Sequence, residues 1–271
     1  MSPTIDESPT PDDLITRRKH ALGPAYTHFY DEPLHIVRGE GVWLFDAQGN
    51  RYLDCYNNVP SVGHCHPEVV LALTEQARML NTHTRYLHHG IVEYAEMLAD
   101  TLPGDLSVCS FVCTGTEAND LAYRMARAVT GNEGAICTTG AYHGNSTLVT
   151  ELSPEFRRRR PAPGFVVDVD APDAYRGRFG PGNEQAYADL VDDGIDQLAG
   201  RGFEPAMMII DSIFDCAGVH TPGPAYQQAV YAKVRAAGGL VVADEVQSGL
   251  TRLGDHYWGF MDSGVVPDIV T

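Results

Sequence analysis

From Gly104 onward, short apolar runs alternate with stretches of helical spacing, and this alternation leaves few folds open. The runs cover 108–113, 135–138, 164–169, 206–210 and 240–243, and the helical stretches cover 116–129, 184–198 and 223–237. Strands this short and this apolar have no solvated face, so they belong in a parallel sheet covered on both sides by helices. The expected fold class is therefore α/β, a mainly parallel sheet sandwiched by helices. The pattern is sharpest at 238–249, where Leu240, Val241, Val242 and Ala243 lie between Gly238-Gly239 and Asp244-Glu245. Such a strand delivers Asp244 to its carboxyl end, where open α/β sheets bind ligands. A carboxylate there either caps the strand or faces a ligand, and the stretch alone leaves both readings open.

The region before the alternation has a different texture. Residues 1–60 read as an irregular arm, rich in Pro, Asp, Ser and Thr with a short helical piece at 13–20, followed by a small antiparallel meander over 36–55. Residues 61–271 read as the large domain. It opens with a helix after Pro67, whose Val69, Val70, Leu73, Ala77 and Leu80 keep one face apolar, and a second helix over 91–102. In the helix over 116–129, Ala118, Leu121, Ala122, Met125, Ala126 and Val129 recur at helical spacing and predict a continuous buried stripe.

Composition excludes several classes of partner. A formal charge of −17 over 271 residues opposes nucleic acid and anionic membrane surfaces. No apolar run reaches the length of a membrane span and no signal peptide is legible, so the expected address is cytoplasmic. The six cysteines form no CxxC pair, which suits reduced thiols. The run Arg157-Arg158-Arg159-Arg160 reads as a solvated turn before Pro161. His64-Cys65-His66 lacks a second cluster at ligand spacing, and no metal site is expected.

Three constellations carry chemistry. Cys113-Thr114-Gly115-Thr116-Glu117 sits where an apolar run meets a helix, so free N–H groups and the helix dipole either accept an anion such as phosphate or are simply capped. Gly140-Ala141-Tyr142-His143-Gly144 follows the next strand and offers an aromatic ring for stacking or a rim residue packed on the sheet, with His143 read as a loop hydrogen bonder. Asp244 is followed by Val246 and Gln247; if a pyridine ring lay here, an ionised carboxylate against its nitrogen would keep that nitrogen protonated.

Taken in order, Tyr52-Leu53-Asp54, Gly63-His64-Cys65-His66-Pro67, Gly115-Thr116-Glu117-Ala118-Asn119, Tyr142-His143-Gly144 and Asp244-Glu245-Val246-Gln247-Ser248-Gly249 resemble the class III aminotransferases, fold type I pyridoxal-phosphate enzymes. Pro267-Asp268-Ile269-Val270-Thr271 is similar to the family's strand before its catalytic lysine. Asn57-Asn58, Leu80-Asn81-Thr82-His83 and Ala171-Pro172-Asp173-Ala174-Tyr175-Arg176-Gly177 resemble the branch of alanine–glyoxylate aminotransferase 2-like proteins and phospholyases.

The resemblance implies pyridoxal 5'-phosphate as cofactor, with Gly115 and Thr116 on its phosphate, Tyr142 stacked on its ring and Val246 on the opposite ring face. Asp244 would meet the ring nitrogen and Gln247 the phenolic oxygen, while Glu245 would support the loop. It further implies transfer of an amino group between an amine or amino acid and an oxo acid, or phospholyase chemistry on a phosphorylated amino alcohol, in a homodimer. The family's Schiff-base lysine is expected shortly beyond Thr271, so the chain reads as the N-terminal portion of a longer enzyme with an incomplete large domain, or as a non-catalytic cofactor-binding piece. The sequence carries Lys19 and Lys233 alone, and neither matches the family position. Borohydride reduction of the chain mixed with pyridoxal phosphate, read by peptide mass spectrometry, is expected to leave no stoichiometric adduct on either lysine. A full adduct on Lys233 would contradict this assignment.

Overall fold

A computed structural model describes residues 11–57, 60–157 and 160–271. The first ten residues of the expected arm, Asn58 of the Asn57-Asn58 pair, and Arg158 and Arg159 of the arginine run lie outside the described residues. The chain divides into two compact units, one ending at Tyr86 and the other spanning Leu87–Thr271.

The first unit holds helix α1 (Pro11–Leu22), strands β1 (Ile36–Glu40), β2 (Trp43–Asp46) and β3 (Arg51–Leu53), and helix α2 (Pro67–Met79). The strands form an antiparallel sheet in the order β1-β2-β3, the expected meander. Asp46 builds its second turn: the carboxylate accepts from the backbone N–H groups of Gln48 at 3.0 Å and Asn50 at 2.8 Å, and from the Tyr52 hydroxyl at 2.8 Å. The apolar face of α2 exists as predicted, yet no residue of that helix is buried within the chain.

The second unit is the α/β body. Its elements are α3 (His89–Ala99), α4 (Gly115–Thr130), β4 (Gly134–Thr138), α5 (Thr147–Glu151), α6 (Pro154–Arg157), β5 (Val166–Val169), α7 (Glu184–Gly200), β6 (Pro205–Asp211), α8 (Pro224–Ala236), β7 (Leu240–Asp244), a 3₁₀ turn at Gly259–Ser263 and β8 (Ile269–Val270). The five strands pair in parallel in the order β5-β4-β6-β7-β8. Side chains alternate between the two faces, as the pleat requires. Ile136, Val167, Met208, Ile210 and Val241 pack toward α7 and α8, while Ala135, Cys137, Val166, Met207, Ile209 and Val242 pack toward α4. Every residue of β4 and β6 is buried, which explains why these runs show no polar alternation in the sequence. Because β5 and β6 flank β4 on opposite sides, the winding reverses there, and a crevice opens at the carboxyl ends of β4 and β6.

Three expectations are corrected. The run Val108–Cys113 is not a strand: among the described residues no ladder forms along it, and Val108 is 91% exposed. Its apolar character alone does not supply the hydrogen-bonding neighbour a strand needs. In α4 the inward row is Asn119, Ala122, Tyr123 and Ala126, whereas Met125 and Val129 point outward at 45% and 73% exposure. Small residues let the helix approach the sheet, and Tyr123 can join that row because its hydroxyl donates to the Glu133 carbonyl at 2.6 Å. Finally, Arg157 is not part of a solvated turn; it is buried and its guanidinium binds the Asp168 carboxylate.

Tyr226 is fully buried, and its hydroxyl has no hydrogen-bond partner among the described residues. A buried unpaired hydroxyl is a cost, so Tyr226→Phe is expected to hold or raise stability by up to about 1 kcal/mol. Ile209→Ala, which empties a fully buried site on β6, should lose roughly 2–5 kcal/mol. Urea melts of the two variants against the parent chain check both signs.

Candidate functional site

The carboxyl ends of β4, β6 and β7 converge on Asp244, which is 5% exposed. Its Oδ2 accepts from Asn119 Nδ2 at 3.0 Å and from His143 Nδ1 at 2.8 Å, and its Oδ1 accepts from the Val246 N–H at 3.1 Å. A carboxylate can only accept when ionised, so the proton on His143 sits at Nδ1. The other ring nitrogen, Nε2, is buried without a partner among the described residues. The His143 backbone N–H donates to Ser153 Oγ at 2.9 Å, and its backbone carbonyl accepts from Asn119 Nδ2 at 2.7 Å, so the backbone that carries the imidazole is fixed from both sides.

Asp211 lies beside Asp244 in the β6–β7 register. Burial pushes its carboxyl up to about 6, against the opposing hydrogen bonds from the Ile213 and Asp215 N–H groups, and the neighbouring Asp244 charge adds to the rise. Glu245 is buried as well and is raised chiefly by that burial. It accepts from Ser212 Oγ, from Ser248 Oγ at 2.9 Å, and from the Gly259 and Phe260 N–H groups at 2.5 and 3.0 Å, which ties the turn after β7 to the 3₁₀ turn.

The start of α4 forms the anion-type end of the site. Thr114 is the N-cap, its hydroxyl accepting from the Glu117 N–H at 3.1 Å, while the Glu117 carboxylate accepts from the Cys113 N–H at 2.7 Å. This reciprocal capping leaves the N–H groups of Gly115 and Thr116 without an intrahelical partner. Two close approaches surround them. A Cβ on Gly115 would stand 2.8 Å from Val246 Cγ2, and one on Gly144, whose φ is +136°, would stand 2.5 Å from Thr116 Oγ1. Glycine is required at both positions for the loops after β4 and β7 to close on the helix.

The structure therefore brings Gly115, Thr116, Val246 and Asp244 together directly. Tyr142 enters through its neighbour His143; its ring packs edge-on against Phe156 at 4.9 Å and keeps 36% exposure. Gln247 is half-buried in the turn that follows Val246. His143 is more than the loop hydrogen bonder expected from the sequence, because it holds Asp244. Asn119 stands in the family motif with no role read for it, and Asp211 lies just past the run 206–210; Asn119 follows Thr116 by one helical turn, a spacing that puts both on one face of α4. Lys233 lies elsewhere, its Nζ paired with Asp192 and with Asp189 at 3.1 Å, contacts that raise its pKa despite partial burial.

The donor set fits a phosphorylated pyridine. Two uncommitted N–H groups and the Thr116 hydroxyl suit a phosphate at a helix start. Asp244 Oδ2 is filled by two donors while Oδ1 takes one, which leaves it acceptor capacity for a ring N–H.

A parallel α/β body with an anion-type helix start and a buried carboxylate at adjoining strand ends defines a cofactor-binding class of fold. The sequence model of the aminotransferase class-III family matches residues 25–271, and the chain belongs to that family. Pyridoxal phosphate is the family's cofactor. The chain is 42% identical over 269 residues to an alanine–glyoxylate aminotransferase 2-like protein of Drosophila melanogaster, covering 95% of this chain and 54% of that protein. It is 40% identical to alanine–glyoxylate aminotransferase 2 homolog 2, mitochondrial, of Arabidopsis thaliana, covering 97% of this chain and 55% of that one. Among solved structures it is similar to a phospholyase from Arthrobacter in complex with phosphoethanolamine, with a TM-score of 0.89 and 40% identity over 95% of this chain and 62% of that chain. The chain thus spans about half the length of the curated relatives it matches.

Asp211 predicts a pH signature. Its native pKa of about 6 stands above the ordinary 3.8, so its contribution to stability is fully present below 3.8 and is lost as pH rises through about 6. Two units correspond to about 3 kcal/mol. Urea midpoints measured across this window should fall with rising pH, and Asp211→Asn should flatten that slope whatever it does to the absolute stability.

Proposed function

We propose that this chain carries the pyridoxal 5'-phosphate-binding part of an enzyme that moves an amino group between an amine or amino acid and an oxo acid. The observation that carries the reading is the buried Asp244, held by Asn119 and His143 with acceptor capacity left on Oδ1. The bound cofactor supplies an electron sink for charge developing on the carbon that bears the amine.

The chain's own residues do the holding and orienting. Gly115 and Thr116 bind the phosphate through N–H groups aligned with the α4 dipole. Asp244 keeps a proton on the ring nitrogen, since an ionised carboxylate favours the cationic form of its neighbour. Tyr142 and Val246 would hold the cofactor ring between them, and Gln247 would bind its phenolic oxygen. Glu245 braces the turn that carries Val246 and Gln247. Lys233 has no role in the chemistry, because its ammonium is committed to Asp189 and Asp192. The activity is proposed for the full-length protein.

A second reading, cleavage of a phosphorylated amino alcohol with release of phosphate, is supported by the similarity to the Arthrobacter phospholyase. We further propose a homodimer: α2 and α3 bury no residue, and Val69, Leu73, Val92 and Met97 stay 48–67% exposed, an apolar load suited to a second copy. The charge of −17 disfavours nucleic acid, and among the described residues no helix is long and apolar enough to cross a membrane. Six free thiols suit a reducing compartment, for which the cytoplasm is proposed.

Full-length protein offered an amine with an oxo acid, and separately phosphoethanolamine, distinguishes the two chemistries. Amino transfer without phosphate release is the expected outcome, and phosphate release favours the second reading. Asp244→Ala should lower kcat at least 10²-fold in either case, and unchanged turnover would remove the basis of both.

A further inference from the structure

Asn119 is 0% exposed, and both the nitrogen and the oxygen of its amide are engaged. Nδ2 donates to the His143 carbonyl at 2.7 Å and to Asp244 Oδ2 at 3.0 Å, while Oδ1 accepts from Thr271 Oγ1 at 2.7 Å. The orientation of the amide follows from its partners. A carbonyl and a carboxylate only accept, so the nitrogen must face them, and the remaining oxygen needs the donor that Thr271 provides. Thr271 is itself pinned, its N–H donating to the Ala243 carbonyl at 3.0 Å and its carbonyl accepting from the Glu245 N–H at 2.8 Å. One side chain therefore joins α4, the loop after β4, the end of β7 and the residue after β8.

We propose that Asn119 is a positioning residue for Asp244, turning its carboxylate so that Oδ1 rather than Oδ2 faces the cofactor's ring nitrogen. The proposal rests on the cofactor reading above. The placement on α4 adds a consequence. Thr116 and Asn119 stand three residues apart on one helix face, so the phosphate end and the ring-nitrogen end of the site are set by a single helical turn. The titratable groups facing Asp244 are His143, from the loop after β4, and Asp211, from β6. Asn119 donates from an amide that does not titrate, so it orients the carboxylate without competing for a proton.

The test uses full-length protein reconstituted with pyridoxal phosphate, comparing cofactor affinity and the pH dependence of the bound cofactor's absorbance in the parent, Asn119→Ala and Asn119→Asp. Asn119→Ala should weaken cofactor binding about tenfold, the scale of one hydrogen bond to a charged group, and move the pH midpoint of the spectrum. Asn119→Asp, which sets an acceptor against Asp244, should weaken it further. Leu198→Ala, which empties a fully buried site on α7, supplies a destabilised control and should lower Tm with neither change. Parent-like affinity and midpoint in Asn119→Ala, or the same shifts in Leu198→Ala, would overturn the proposal. If Asn119→Ala does not fold, Thr271→Val carries the test: weakening of roughly threefold or more supports the proposal, and parent-like affinity overturns it. Failure of the parent itself to bind the cofactor would instead overturn the cofactor reading, and this inference with it.

Discussion

A carboxylate taken out of water must be given hydrogen-bond donors, and the arrangement of this α/β body follows from how Asp244 receives them. Its Oδ2 partners lie 125 and 101 residues away in the chain, on α4 and in the loop after β4. Removing either would leave a buried charge short of a donor, a far larger penalty than the bond itself contributes. The partners can reach Asp244 because β4, β6 and β7 lie side by side in parallel and end at one level. The ladder thus does two things: it satisfies backbone groups through the core, and it brings distant polar side chains to one edge.

The same edge holds a second acid under different terms. Asp211 takes two backbone N–H groups from its own turn yet stays raised, because burial and the Asp244 charge act together against ionisation. Of these two adjacent carboxyls, Asp244 is committed to side-chain donors, whereas Asp211 is held up to about 6. Glu245, next in the chain after Asp244, faces away into four donors of its own and makes the turn rigid. Three acids within two strand ends therefore divide into one held by side-chain donors, one raised by burial and one that ties two turns together.

Much of this was legible. The runs 240–243 and 206–210 read as buried strands because unbroken apolar runs of that length suit a parallel sheet covered on both faces, and the structure places them in β7 and β6. Gly115 and Gly144 stood in motifs, and the structure gives each the close contact that a Cβ would fill. The run 108–113 shows the limit of the same rule, since an apolar pattern states what a segment would bury and not whether a neighbour is there to pair with it. The rotation of α4 shows another: Met125 and Val129 keep the helical period, yet the helix turns Asn119 and Tyr123 inward because polar partners wait for both.

By itself, then, the sequence determined the long helices and the buried strands from 135 onward, their order, and the residues that reach the strand ends, all of which depend on local periodicity and turn chemistry. Tertiary structure alone decided that His143 and Asn119 hold Asp244, that Asp211 stands beside it, and that Arg157 turns inward to Asp168. Those contacts depend on which strands become neighbours. Strand order is a property of the whole packed sheet, in which burying a charge is tolerable only where donors from several elements meet.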